Sequence, residues 1–220
     1  MSRIQLTAST RRGPINGRAI ADLVALLALL VSLLAAGTGS ASAQRASAVD
    51  SSGDVTGILL PITMEEPIIY TPHPEMRYAD ITNTLVRHTL KRVIVRSDFV
   101  NLRRLRPTLL EVRVLTDSGV IRQAELVRTP TGSTFRLWTL SGSRVHCSGV
   151  RHVANPTKDF MRMSIPRRCF GNPAWIETRV AAYPSPEWNN GGDEALLDDS
   201  RQGTIASMGF PLPWPRLSPG

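Results

Sequence analysis

At 220 residues the chain has room for one domain of about 100–150 residues plus flanking segments. Its apolar content of 42% sits just under the usual globular range, and 16 Pro with 16 Gly point to many turns. The formal charge of +8 permits attraction to anionic polymers or membrane surfaces, but no Lys/Arg run is interleaved with aromatics as a single-strand nucleic-acid binder requires, so no nucleic-acid partner is predicted. Lys91 and Lys158 are the only lysines among the 26 cations. A GC-rich coding sequence accounts for that bias more simply than selection for the bidentate arginine fork.

Residues 1–43 read as an export signal. Arg3 to Arg18 form a basic region, Leu23 to Ala36 an uncharged apolar run, and Ala41-Ser42-Ala43 an A-x-A site, with cleavage expected between Ala43 and Gln44. Fourteen residues of helix span about 21 Å against a hydrocarbon core of about 30 Å, which favours a cleaved signal over an uncleaved anchor. Contact with the membrane is expected only through this segment if it is retained. The leader carries +3 of the net charge, leaving +5 on the remainder. The predicted address is secreted, extracellular or cell-wall-associated.

Residues 44–53, QRASAVDSSG, are small and polar, and are read as a flexible linker. Val55 to Ile62 reads as an edge strand, because Pro61, Pro67, Pro72 and Pro74 exclude a regular central strand beyond it. From Tyr78 onward, short runs rich in Val, Ile, Leu and Thr recur at 80–88, 91–99, 108–116, 120–128, 134–140, 143–147, 158–165 and 175–183. Turn chemistry separates them, most clearly Asp117-Ser118-Gly119 between LLEVRVLT and VIRQAELV. The prediction is an all-β fold: an antiparallel β-sandwich or jelly roll of about eight to nine strands over residues 54–183, preceded by a signal helix. Helix elsewhere is confined to one turn near Pro166–Gly171. Alternation of Val112, Val114, Met161, Met163, Ile176 and Val180 with charged residues predicts one packed face and one wet, Glu–Arg-laced face per sheet.

Cys147 and Cys169 flank a predicted strand. In an exported chain they are expected to pair, with Cys147 pointing inward from the 143–147 strand. A zinc site recruiting His146 and His152 is disfavoured, because adjacent strand residues His146 and Cys147 face opposite sides. The succession DITNTLVRHTLKRVIVRSDFVNL, RVHCSGVRH and MSIPRRCFGNPAWIETRV is similar to a group of uncharacterised secreted β-sandwich proteins of high-GC Gram-positive bacteria. These share a C-x-G segment followed by P-R-x-C-x-G-x-P-x-W. The resemblance covers about Asp80 to Ala182 and implies export, the sandwich and the disulfide. It brings no activity and no site residues.

Residues 184–220 are read as an acidic and then Pro-rich tail, mostly extended or disordered. Asp193, Glu194, Asp198 and Asp199 lie near a glycine pair but lack the alternating oxygen ligands of an EF-hand loop. No G-x-S-x-G elbow or phosphate-cradling glycine loop occurs. The sequence therefore predicts no catalytic residues, no cofactor and no metal. His88 is read as a half-buried strand residue. The expected function is a non-catalytic binding or scaffolding module whose partner is an envelope glycan or another exported protein. Trp138, Trp175 and Trp188 are the candidate ligand-facing aromatics. The alternatives are a structural domain docking through its tail or a sheet edge and, behind that, a hydrolase.

Overall fold

The computed structural model describes residues 44–59, 69–102, 106–184, 194–200 and 213–220. The leader, with Ala43, and Trp188 lie outside the described residues. Two antiparallel sheets face each other. The first has five strands, β1 (Gln44–Val49), β4 (Ile81–His88), β5 (Arg92–Phe99), β10 (Phe160–Pro166) and β9 (Arg151–Asn155), in that spatial order. The second has seven: β3 (Ile69–Pro72), β2 (Thr56–Leu59), β12 (Glu194–Asp199), β11 (Ile176–Tyr183), β6 (Thr108–Thr116), β7 (Ile121–Thr129) and β8 (Gly132–Thr139). Between them lies one apolar core, to which β4, β5 and β10 contribute Val86, Val93, Val95, Met161 and Met163. Leu110, Val112, Leu126, Leu137 and Val180 meet them from the seven-stranded side. Among the described residues, no helix is long and apolar enough to cross a membrane.

The antiparallel sandwich is as predicted, with twelve strands among the described residues rather than eight or nine. Hairpin β6–β7 turns at Asp117-Ser118-Gly119, where Gly119 takes φ +77° and donates to Thr116 O. That left-handed position follows a tight turn that a residue with a Cβ adopts only at a cost. Among the described residues, helix is one 3-10 turn, Arg167–Phe170, closed by left-handed Gly171.

Several boundaries move. The expected linker contains β1, an edge strand whose inward residues, Ala46 and Ala48, are small. β2 is an interior strand, with β3 outside it at the sheet edge. The expected tail supplies β12, which pairs β2 on one side and β11 on the other. Residues 213–220 also pack: Trp214 and Leu217 are buried in the core, and Leu217 exchanges two backbone bonds with Ile176. The 143–147 run is not a strand. Only Arg144 makes a bridge, to Trp138, and 145–147 instead carry the chain from the seven-stranded sheet to the five-stranded one.

Cys147 lies in that crossing and Cys169 in the 3-10 turn, through which the chain returns from β10 to β11. The two are bonded, with Cα atoms 5.9 Å apart, and both half-buried side chains pack against the core. The disulfide therefore ties two inter-sheet connections together rather than two strands.

His88 is fully buried, not half-buried. Its Nδ1–H donates to Leu217 O at 2.8 Å, while Nε2 has no partner among the described residues. Protonation would bury an N–H without an acceptor, and burial pushes the imidazole below its ordinary value.

Two outcomes follow. Replacing Cys147 and Cys169 together by Ser frees a 22-residue separation and should lower unfolding stability by about 3 kcal/mol on the chain-entropy account, read from the urea midpoint. His88, held neutral, contributes stability that is present above about pH 6.5 and is lost as pH falls through its lowered folded value. The difference in stability between wild type and His88→Asn should therefore shrink from pH 7.5 to pH 5, and a difference that stays constant would contradict a neutral buried imidazole.

Candidate functional site: an arginine face

Strand alternation decides what each sheet shows to solvent. On the five-stranded sheet the inward positions are apolar or small, and register places Arg45, Arg87, Arg92, Arg96, Arg162 and Arg151 outward. The single outward carboxylate across these five strands is Asp98. It is already engaged: Arg96 Nε and Nη2 donate to Asp98 Oδ1 at 2.9 and 2.6 Å, and Asn83 Nδ2 to its Oδ2 at 3.1 Å. The Arg96 guanidinium also lies 4.2 Å from the Phe160 ring centroid. Arg45 sits directly opposite Arg87, and Arg96 directly opposite Arg162. Like charges placed so oppose folding.

The seven-stranded sheet also sets like charges opposite each other, Arg113 to Arg179 and Glu111 to Glu125, but its signs balance. Its outward charges on β6, β7, β8 and β11 are Glu111, Glu125 and Glu177 with Arg113, Arg136 and Arg179, three of each sign. They are knitted together: Arg113 Nε donates to Glu111 Oε1 at 2.7 Å, and Gln123 Nε2 donates to both Glu111 and Glu125. Glu111 is itself buried, and burial pushes its carboxyl above the usual range despite Arg113. The Glu–Arg lacing predicted for both outer faces thus holds for one sheet only.

The arginines of the other sheet surround two adjoining depressions. One, of about 290 Å3, is lined by Arg92, Ile94, Arg151, His152, Arg162 and Ser164. The second, of about 550 Å3, is lined by Lys91, Arg92, Arg151 and Arg168, with Leu90 and Asn172. Neither lining contains a carboxylate. Arg92 is the fixed point between them. Its Nε donates to Ser164 Oγ at 2.6 Å, and its Nη2 to Gly149 O at 2.8 Å and to Ser164 O. Burial, and then Arg151, Arg168 and Arg162, push its guanidinium below the ordinary value, although an arginine keeps its charge throughout. Arg168 is held by Ser148, donating to its carbonyl at 2.8 Å and its Oγ at 3.1 Å. That contact is one residue from the disulfide. Preorganised guanidinium forks without counter-charges suit phosphate or carboxylate groups.

The predicted aromatics do not assemble into a row. Trp138 is half-buried on the outward side of β8, and Trp175 precedes β11, with β6 and β7 between them. The Arg216 guanidinium covers Trp175 at 4.1 Å from the ring centroid. Gln44 is the first residue of β1, and its Oε1 accepts from Ser218 N–H at 2.5 Å.

The sequence reading pairs the outward arginines with glutamates on both sheets and so misses this face. A readable signal existed: no Asp or Glu occurs from 81 to 97, from 126 to 158, or from 160 to 176, the segments that supply this face. No family model, curated protein or solved structure matches the chain.

A substitution can separate stability from use of this face. Arg162→Glu removes a like charge opposite Arg96 and installs an opposite one, so it should stabilise the fold by about 0.2–1 kcal/mol, read from thermal unfolding at low salt. A destabilised variant would show that Arg162 already has a structural partner.

Proposed function

We propose that the protein is an exported, non-catalytic β-sandwich that binds an anionic polymer of the cell envelope through the outer face of its five-stranded sheet. The observation that carries this reading is charge asymmetry: six outward arginines against one occupied carboxylate, beside a neighbouring sheet whose charges are balanced. Repulsion between arginines costs stability, and a bound polyanion relieves it. Phosphate and uronate polymers are the envelope glycans with the matching charge, and a neutral glycan would be expected to rest on exposed aromatics instead.

Support for export comes from the leader composition and from the disulfide, a bond that persists in oxidising compartments. Support for binding without catalysis comes from Ser164, the hydroxyl in the smaller depression. Its Oγ accepts from a guanidinium, and among the described residues no base is bonded to it. A nucleic acid shares the charge but not the fit, since among the described residues Phe160 is the only aromatic on the face and Arg96 already covers it. Docking through the tail is less well supported, because Trp214 and Leu217 belong to the core.

Retention on immobilised polyglycerol phosphate, with neutral dextran and a single-stranded oligonucleotide as comparisons, tests this. Retention should be selective for the polyglycerol phosphate and weaken more than about tenfold between roughly 50 and 200 mM salt. It should be lost in Arg151→Glu/Arg162→Glu while the fold is kept. Equal retention on the oligonucleotide, or retention indifferent to both charge reversals, would overturn the assignment.

A further inference from the structure

At the other end of the five-stranded sheet from the disulfide, four aspartates converge from four places in the sequence. Asp50 follows β1, Asp54 precedes β2, Asp80 precedes β4, and Asp198 is the penultimate residue of β12. One carboxylate oxygen each from Asp50, Asp54 and Asp198 lies within 4.8 Å of the other two. Calcium is bound by oxygens at 2.3–2.6 Å, so two oxygens on one ion can stand at most about 5 Å apart. The three therefore fit around a single ion.

Backbone donors hold the carboxylates in place but leave oxygens over. Ile81 N–H donates to Asp198 Oδ2 at 2.5 Å, and Gly53 N–H to Asp80 Oδ2 at 2.7 Å. Asp198 and Asp80 are each only 1% exposed, yet the second oxygen of each has no partner among the described residues. Both oxygens of half-buried Asp54 are likewise unpartnered. Asp198 faces inward, since it pairs with core residue Ala182, and it belongs to the three-residue cluster. A carboxylate buried this deeply with spare lone pairs is expensive unless a cation or a proton meets it. Among the described residues, Asp54, Asp80 and Asp198 make no ion pair. Arg77 acts on Asp80 from an exposed position.

We propose that Asp50, Asp54 and Asp198 bind one calcium ion, with Asp80 as the adjacent carboxylate that adds to its charge. An all-oxygen set without His or Cys selects a hard cation, and crowded carboxylates suit the flexible coordination of calcium better than the strict, water-rich octahedron of magnesium. Asp50 and Asp80 adjoin strands of the five-stranded sheet, while Asp54 adjoins and Asp198 lies within a strand of the seven-stranded one. The ion therefore bridges the sheets at the end opposite the disulfide. Charge on the arginine face plays no part, and either proposal can fail alone.

Calorimetric titration of chelator-stripped protein with CaCl2 at pH 7, followed by thermal unfolding with and without the ion, decides the matter. The expected result is one calcium per chain, a rise of several degrees in Tm at saturation, and a weaker response to MgCl2. Asp54→Asn, at a half-buried residue whose side chain makes no hydrogen bond to the backbone of another segment, should fold and bind calcium at least tenfold more weakly. Asp198→Asn should abolish the Tm response, and terbium luminescence reports the same site if that variant is too unstable to titrate. Absence of both binding heat and a Tm change up to about 10 mM CaCl2, a range that covers extracellular calcium modules, would overturn the proposal. So would an Asp198→Asn protein that is more stable than wild type and still responds to calcium unchanged.

Discussion

The bond between Cys147 and Cys169 fixes where the chain changes sheets. The hairpin β9–β10 enters the five-stranded sheet through the crossing that holds Cys147 and leaves it through the turn that holds Cys169. Joining those two crossings confines the hairpin at both of its feet. The neighbouring polar contacts inherit that confinement: Arg168 reaches Ser148, and Arg92 reaches Gly149 and Ser164, all within a few residues of the sulfurs. The walls of the two depressions are thus set by a covalent constraint rather than by surface side chains alone. A site with so few internal counter-charges needs such a frame, because its own electrostatics push it apart.

The magnitudes explain how a repulsive face survives. Opposed like charges on a sheet cost about 0.2–1 kcal/mol each, while a single buried aliphatic or aromatic side chain contributes about 1.5–3 kcal/mol. The core beneath includes Val86, Val93, Val95, Met161, Met163 and Ile165, all essentially inaccessible to water. Two opposed arginine pairs subtract little from that total. On the opposite sheet the same residue type sits in a neutralised network with Glu111 and Glu125, so an arginine-rich composition alone does not dictate the bare face.

Much of the sandwich is legible in the sequence because its middle strands are long and alternate cleanly. β4 through β8, β10 and β11 fall within a few residues of the periodic runs, and Asp117-Ser118-Gly119 marks its hairpin by the left-handed glycine it needs. The elements that escape are those with weak apolar signals. β1 buries only alanines, β9 carries a single large aliphatic residue, Val153, and that faces outward, and β12 ends in two aspartates. RVHCS alternates like a strand yet spans the gap between sheets, and periodicity cannot distinguish a crossing from an edge. The arginine face was half visible, in runs free of carboxylates. The aspartate cluster was not visible, since Asp50 and Asp198 are brought together only by β12 entering beside β2.

That late entry has a kinetic consequence. β2 finds its interior neighbour only in β12, Ile176 its bridge in Leu217, and His88 its acceptor in the same residue. Partners so distant along the chain close slowly, because loop entropy is lost before the contacts repay it. A ribosome that has released β2 through β11 has produced a sheet with a vacant lane and a core without its indole. Until Trp214 emerges, the nascent polypeptide exposes apolar surface and unpaired strand edges of the kind that aggregate, and a holding chaperone would have a long interval in which to act.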